Sequence, residues 1–501
     1  MDNNRQTIHS ECRAKIGLYT VGLRAYWAQF SGLRERMIEY GEHIASQLAA
    51  NGEVFNYGLV DCSDEGRKAG EYFKENDVDL IFLHSGTYVT SDAVLPVHQI
   101  CGAPVVVLNL QPTTRINYAE TTTGEWLAHC GACPVPEFSN AFERAGIPFR
   151  VISGLLGLDY TPSISKTDEN TAQRTEAHKA YEQIAQWCRA ASVGRMLCQS
   201  RFGFLGSNYS GMLDLYSDYT MLQAQTGMHV EIIEMCDLNE RVQAVTKEQI
   251  DQKLAEIHDM FRLCEDDSAD PIAKKPSEED LVWSATVAAA QEQMVRDYRL
   301  DALAYYYHST QGNPYQDIQS GFIVGHSLLT AKGVPCAGEA DMKTALAMKI
   351  CDTLGVGGSF CEIVTADYEN GTILLGHDGP FHIHIARGKP MLRGLGVYHG
   401  KQGSGVSVEA TVKSGPVTMM GITQTYDGRL RMIISEGEAT DDEIMRIGNT
   451  QTHVRFKTDI DTYFCTLFRY APTHHCAMSI GANGELFSKV AELLNMEYVV
   501  I

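Results

Sequence analysis

Two hydrophobic rhythms alternate along residues 15–153, and that alternation limits the folds open to the chain. Short apolar runs rich in β-branched and aromatic residues predict strands over 15–20, 54–60, 78–84, 104–108 and 148–153. Helical periodicity fills the gaps over 33–51, 64–76, 91–101 and 124–145. Strands that recur with helices between them imply βαβ units and a parallel sheet. Right-handed crossovers then wind helices onto both faces, and function collects at the carboxyl ends of the strands.

The chain has 501 residues, more than one core of roughly 250–300 residues accommodates. A helix over 169–191 leads into a second alternation. Strands are predicted over 195–200 (RMLCQS), 230–235 and 302–307, with helices over 247–264, 281–299 and 321–332. The polar, proline-interrupted stretch 264–280 reads as a loop, with Ser277 and Asp280 spaced as a capping box for the next helix. Beyond Gly355 glycines multiply and strand-like segments follow closely, over 359–366, 372–375, 382–386, 405–412, 417–425 and 429–435. Asp427-Gly428 reads as a two-residue hairpin turn. A helix over 486–494 and a strand over 497–501 finish the pattern. The expected architecture is two doubly wound parallel-sheet α/β domains, 1–193 and 194–356, followed by a β-rich, barrel-like domain, 357–501.

Forty-one basic against 63 acidic side chains give a net charge of −22. That balance argues against a nucleic-acid or anionic-membrane partner, both of which call for a basic face. No apolar run reaches the length of a membrane span, and the first residues lack the apolar centre of a secretory signal. The 14 cysteines are scattered singly, apart from Cys130-Gly-Ala-Cys133, as expected of reduced thiols in a cytoplasmic protein. No G-x-G-x-x-G, Walker or G-x-S-x-G spacing occurs, so neither a nucleotide cofactor nor a serine elbow is expected.

The informative stretch is 333–384. Glu339 lies in a Gly-Glu-Ala-Asp turn before a helical pattern, and a helix start favours a carboxylate. Glu362 falls inside the apolar strand SFCEIV, a costly place for a charge unless it is paired or bound to a metal. His377 ends the next strand, and His474-His475 stand near the C-terminus. Carboxylates and imidazoles together suit a hard-to-borderline divalent ion. A rival reading takes His377 with His382-Ile-His384, two imidazoles on one strand face, as the zinc site of a hydrolase. Tyr305-Tyr306-Tyr307-His308 ends a strand, so Tyr307 or His308 is a candidate pocket residue against a reading as aromatic core plus surface histidine.

The series GEADMKTAL, GGSFCE, GHDG and APTHH resembles the L-arabinose isomerase and L-fucose isomerase superfamily, and the three-domain plan agrees over nearly the full chain. The resemblance implies a metal site of Glu339, Glu362, His377 and His475, with the two glutamates as the acid/base pair. It implies aldose–ketose isomerisation through a cis-enediolate. It favours Mn²⁺, with Co²⁺, Fe²⁺ or Mg²⁺ as alternatives, and a homo-oligomer, often a hexamer, whose sites combine domains of neighbouring subunits. Trp126-Leu-Ala-His129 resembles the sugar-contacting segment, and KIGLYTVGLRAYW the first strand and substrate loop, which nominates His129, Arg24, Tyr26 and Trp27 as substrate residues. Arg24 suits either an anionic group on the sugar or a surface salt bridge. The substrate range is a pentose, a 6-deoxyhexose or a 6-modified, for instance sulfonated, hexose. A sugar-binding protein that has lost the reaction is the third reading.

Overall fold

A computed structural model describes residues 12–161, 170–265, 268–310, 312–395 and 405–501. They form two compact units, Cys12–Arg195 and Met196–Ile501. Most of the glycine-rich 394–405 stretch lies outside the described residues.

In the Cys12–Arg195 unit, β1 (Lys15–Val21), β2 (Glu53–Val60), β3 (Leu80–Ser85), β4 (Val105–Gln111) and β5 (Phe149–Leu155) form one parallel sheet. The strand order is β2-β1-β3-β4-β5. Helices Leu33–Leu48, Ser63–Glu75, Ser91–Cys101 and Val135–Ala145 alternate with the strands. Every residue of β3 is buried, as a parallel strand covered on both faces requires. The order reverses at β1 and β3, the switch point where such sheets take ligands. The one-turn helix Arg24–Trp27 leaves β1 there. Gly22 lets Trp27 fold back over the chain, since a Cβ at that position would meet the indole ring at 2.5 Å. The helix expected over 124–145 is broken into Thr123–Ala128, a 3-10 turn Cys130–Ala132 and Val135–Ala145, because Pro134 starts a helix and cannot continue one.

The second unit opens with a smaller parallel sheet of β6 (Arg201–Gly206), β7 (His229–Ile233), β8 (Ala302–Tyr306) and β9 (Cys336–Ala337), ordered β9-β8-β6-β7. Here the structure corrects the strand expected over 195–200. RMLCQ completes helix Thr175–Gln199, and RFGFLG is the strand. Buried Ala190, Val193 and Leu197 continue the helical stripe. Gly203, inside this strand, is a packing glycine: a Cβ there would meet Leu300 at 2.7 Å. The helix expected over 321–332 is present as Phe322–Ala331, and a further helix, Pro314–Ser320, precedes it. The Ser277–Asp280 capping box is present at the start of helix Glu278–Tyr298.

Beside a small sheet that includes Met391–Leu395 and Gly405–Glu409, the remaining strands form a closed barrel. β10 (Gly357–Asp367), β11 (Thr372–His377), β12 (Gly415–Gln424), β13 (Leu430–Ala439), β14 (Thr450–Phe456) and β15 (His475–Ile480) run β12-β15-β10-β11-β14-β13, and the β13–β12 pairing joins the ends. All six pairings are antiparallel, and closure leaves the ring without an edge. β16 (Glu497–Val500) adds to β13 in parallel. The Asp427-Gly428 hairpin forms, but its turn is longer than two residues. Thr425 and Arg429 pair across it and Gly428 takes φ +81°, the left-handed position of a three-residue loop. Two further segments depart from the strand pattern. Residues 382–386 contain the 3-10 turn Ile383–Ile385, and helix Ile460–Arg469 buries Ile460, Tyr463 and Leu467 behind an Asp459 cap. Among the described residues no helix is long and apolar enough to cross a membrane.

Candidate metal centre

Glu339 is held by an unusual turn. β9 runs directly into the 3-10 turn Gly338–Ala340, where Glu339 and Ala340 both adopt left-handed backbone, φ +57° and +62°. Such geometry costs a residue with a Cβ roughly 1–2 kcal/mol, and strain of this kind gathers at functional sites. Replacing Ala340 by glycine is expected to raise the melting temperature of the metal-free protein by about 1–3 °C, part of the relief being offset by a looser unfolded chain. A lower melting temperature in calorimetry would show that the turn stores no such strain.

Asp341 ends the turn and is fully buried. Its Oδ1 accepts from the backbone N–H groups of Lys343 (3.1 Å) and Thr344 (3.0 Å), capping helix Met342–Thr353. Its Oδ2 accepts from the Thr344 hydroxyl at 2.8 Å and lies 3.1 Å from Nδ1 of His475. A carboxylate on Nδ1 leaves Nε2 as the lone-pair nitrogen, the arrangement of a metal-ligating histidine.

His475 begins β15 and is fully buried. Register places it directly across from Glu362 on β10, and Glu362 in turn faces Gly376, the residue before His377 on β11. Phe360 packs against both imidazoles, 4.4 Å from the His475 ring and 4.7 Å from that of His377. Thr450 pins His377 by accepting its backbone N–H (2.9 Å) and donating to its carbonyl (3.0 Å).

Donor atoms of Glu362, His377 and His475 lie within 4.8 Å of one another, and so do those of Glu339, His474 and His475. The four residues expected as ligands thus form one connected cluster with His475 at its centre. His475 Nε2 is buried and makes no hydrogen bond, although Glu339 Oε2 is 3.4 Å away. Burial alone would lower the His475 pKa, but Asp341 and Glu339 raise it to about 9. Burial alone would raise that of Glu339, but His474, His475 and the charge of His377 hold it well below the carboxylate range. An orphaned imidazole nitrogen between two carboxylates and a second imidazole fits a divalent cation, which takes the place of the proton.

His474, the other member of the His474-His475 pair, faces the same carboxylate as His475. Its Nδ1 and backbone N–H both meet Asp214 Oδ2, at 2.6 and 3.0 Å, and its Nε2 lies 3.7 Å from Glu339 Oε2. Buried Lys343 secures the Asp214 segment by donating to Leu215 O (3.1 Å) and Ser217 Oγ (3.0 Å).

His382 and His384 join no such cluster among the described residues. Residues 383–385 form a 3-10 turn in place of the expected strand, and although the two rings lie 6.0 Å apart, His377 groups with Glu362 and His475 instead. Tyr307 packs half-buried on the apolar core and His308 is exposed, which matches the core-plus-surface reading of that run.

The nominated substrate residues belong to the Cys12–Arg195 unit. The Arg24 guanidinium engages Asp61 Oδ1 through Nε (3.0 Å) and Nη2 (2.7 Å), and Trp27 Nε1 donates to Asp61 Oδ2 at 2.9 Å. Tyr26 stands edge-on to Phe30. His129 is buried with Nε2 2.8 Å from the Thr113 hydroxyl and Nδ1 2.9 Å from Glu125 O.

A family model described as the L-arabinose isomerase central domain matches residues 216–357, and one described as the L-fucose isomerase C-terminal domain matches residues 387–501. An L-arabinose isomerase of Koribacter versatilis is 25% identical over 260 residues, covering 51% of this chain and 50% of that one. An L-arabinose isomerase 2 of Bacillus licheniformis is 24% identical over 344 residues, 65% of this chain and 68% of the relative. The match thus spans about half the length of the first relative. Among solved structures, a PurR family transcriptional regulator from Vibrio parahaemolyticus aligns over 65% of this chain and 80% of its own at 11% identity. Its TM-score of 0.13 is too slight a likeness to inform the fold. Two domain models, the curated relatives and the α/β-plus-barrel plan agree, and the chain belongs to the L-arabinose isomerase and L-fucose isomerase superfamily.

Proposed function

We propose that this chain is a metal-dependent aldose–ketose isomerase, with Glu339, Glu362, His377 and His475 holding the ion. The observation that carries the reading is the buried, unbonded His475 Nε2 among two carboxylates and a second imidazole. Mn²⁺ is the favoured ion, with Co²⁺, Fe²⁺ or Mg²⁺ as alternatives. When bound, the ion supplies Lewis-acid polarisation of the sugar carbonyl.

Aldose-to-ketose conversion moves a proton from C2 to C1 and another from O2 to O1. A carboxylate positioned over the two carbons takes the first proton and returns it one atom along, and Glu339 and Glu362 form the pair for this work. His474, backed by Asp214, stands where it can pass a proton to or from Glu339 Oε2. Arg24, Tyr26, Trp27 and His129 are proposed to contact the sugar. The side of the Arg24 guanidinium that presents Nε and Nη2 faces Asp61, which favours neutral pentoses and 6-deoxyhexoses over anionic hexoses. His129 would contact a sugar hydroxyl by exchanging the Thr113 hydroxyl for it. A homo-oligomer, a hexamer by resemblance, is part of the proposal.

The test is ketose formation after chelation and readdition of Mn²⁺, on L-arabinose, L-fucose, D-arabinose, L-rhamnose, D-glucose and a 6-sulfonated hexose. Turnover of at least one neutral sugar, lost on chelation and restored by the ion, is the expected result. Metal-independent turnover would sink the metal role, and absence of turnover on every sugar with metal bound would sink the isomerase.

A further inference from the structure

We propose that Tyr305 is a substrate-binding residue whose phenol donates a hydrogen bond to a hydroxyl of the sugar held at the Glu339 site. The inference rests on the isomerase reading for the ligand and on the fold for the place. β8 and β9 are parallel neighbours with Ala304 paired to Ala337, so Tyr305, one residue before the end of its strand, falls beside Gly338, the residue before Glu339. Both residues therefore stand at the carboxyl edge of the sheet, where α/β folds bind their ligands.

The ring of Tyr305 is fixed on the opposite side. It lies 3.9 Å from the ring centre of buried His326 and edge-on to Phe322 at 5.3 Å. The hydroxyl reaches the metal-bearing segment, where a Cβ on Gly338 would lie between Phe360, at 3.1 Å, and the Tyr305 oxygen, at 3.7 Å. Phe360 is the ring that packs on His377 and His475.

Tyrosine hydroxyls in apolar surroundings nearly always find a partner. This one makes no hydrogen bond among the described residues, and it is not among the polar atoms sealed from solvent without one. Tyr305 as a whole keeps 6% of its surface exposed. Burial first, and after it Cys336, Asp378 and Glu339, push the phenol well above its ordinary pKa, so it remains a donor throughout the working range. A rigid ring ending in an unpartnered donor beside a sugar-handling carboxylate fits the polyol class of ligand.

Tyr305→Phe removes the hydroxyl and keeps the ring. Metal-loaded wild type and variant would be compared by calorimetric titration with the panel sugars and their alditols, and by kcat and KM on any sugar turned over. Affinity is expected to fall about tenfold, with KM raised to match and kcat changed by less than about threefold. Metal content and melting temperature are expected to stay at wild-type values. Affinity within twofold of wild type overturns the proposal. Loss of bound metal overturns it as well, because the hydroxyl would then be supporting the Glu339 turn. A wild type that binds sugars without isomerising them removes the isomerase reading and leaves Tyr305 to be judged on affinity alone, whereas a wild type that binds none of them overturns both.

Discussion

Glu362→Gln is expected to lower kcat by about 10³-fold or more, since a lost acid/base group alone is worth roughly 10²–10⁴. The amide keeps the size and shape of the side chain in β10 but can neither carry the proton nor supply a negative ligand. Glu362 faces His475 across the strand pair and shares a cluster with His377, so the change falls on chemistry and ion together. Glu339→Gln is expected to lose as much, and it also removes one of the two carboxylates that raise His475. Steady-state turnover with metal content measured on the same sample separates the two losses. A Glu362→Gln enzyme that keeps its metal and works within tenfold of wild type would remove Glu362 from the acid/base pair.

Changes at Asp341 are expected to be the next largest, and two substitutions divide its duties. In Asp341→Ala the helix Met342–Thr353 loses its cap and His475 Nδ1 loses its acceptor inside the protein. A cap is worth about 1 kcal/mol and a buried unpaired group about 1–3, so the melting temperature should fall by roughly 4–12 °C. Asp341→Asn with its oxygen towards the helix keeps the cap but turns an NH2 group towards His475. The imidazole is then steered to carry its proton on Nε2, the wrong tautomer for a ligand. Metal affinity should drop about 10–100-fold with a much smaller loss of stability. Metal titration and calorimetry on both variants check this. Equal metal affinity in wild type and Asp341→Asn would show that the tautomer is not set by this contact.

The parts of the fold legible in the sequence are those where one signal dominates. Buried parallel strands such as β3 are apolar throughout, and the Ser277–Asp280 box marks its helix start to the residue. Misreadings arise where a local signal is real but tertiary packing decides. RMLCQS has the composition of a strand, yet Val193 and Leu197 keep it on a helix. The strand begins after it, in RFGFLG, where Gly203 makes room for Leu300. His382 and His384 alternate as in a strand, but the chain after His382 enters the 3-10 turn Ile383–Ile385. At the site, Glu339, Glu362, His377 and His475 were readable because each interrupts an apolar or glycine-rich pattern with chemistry that needs a reason. His474 and Tyr305 carry no such mark. Asp214, 260 residues from His474, and Gly338, reached only through the pairing of β8 with β9, give them their meaning.

The proposed ligands come from two architectures within the Met196–Ile501 unit. Glu339 hangs from the edge of the small parallel sheet, whereas Glu362, His377 and His475 are staves of the closed barrel. An ion shared by all four, as proposed, would also be a mechanical fastening. It would convert two neighbouring folding modules into one cooperative body, with the left-handed turn as the hinge at which that fastening is made.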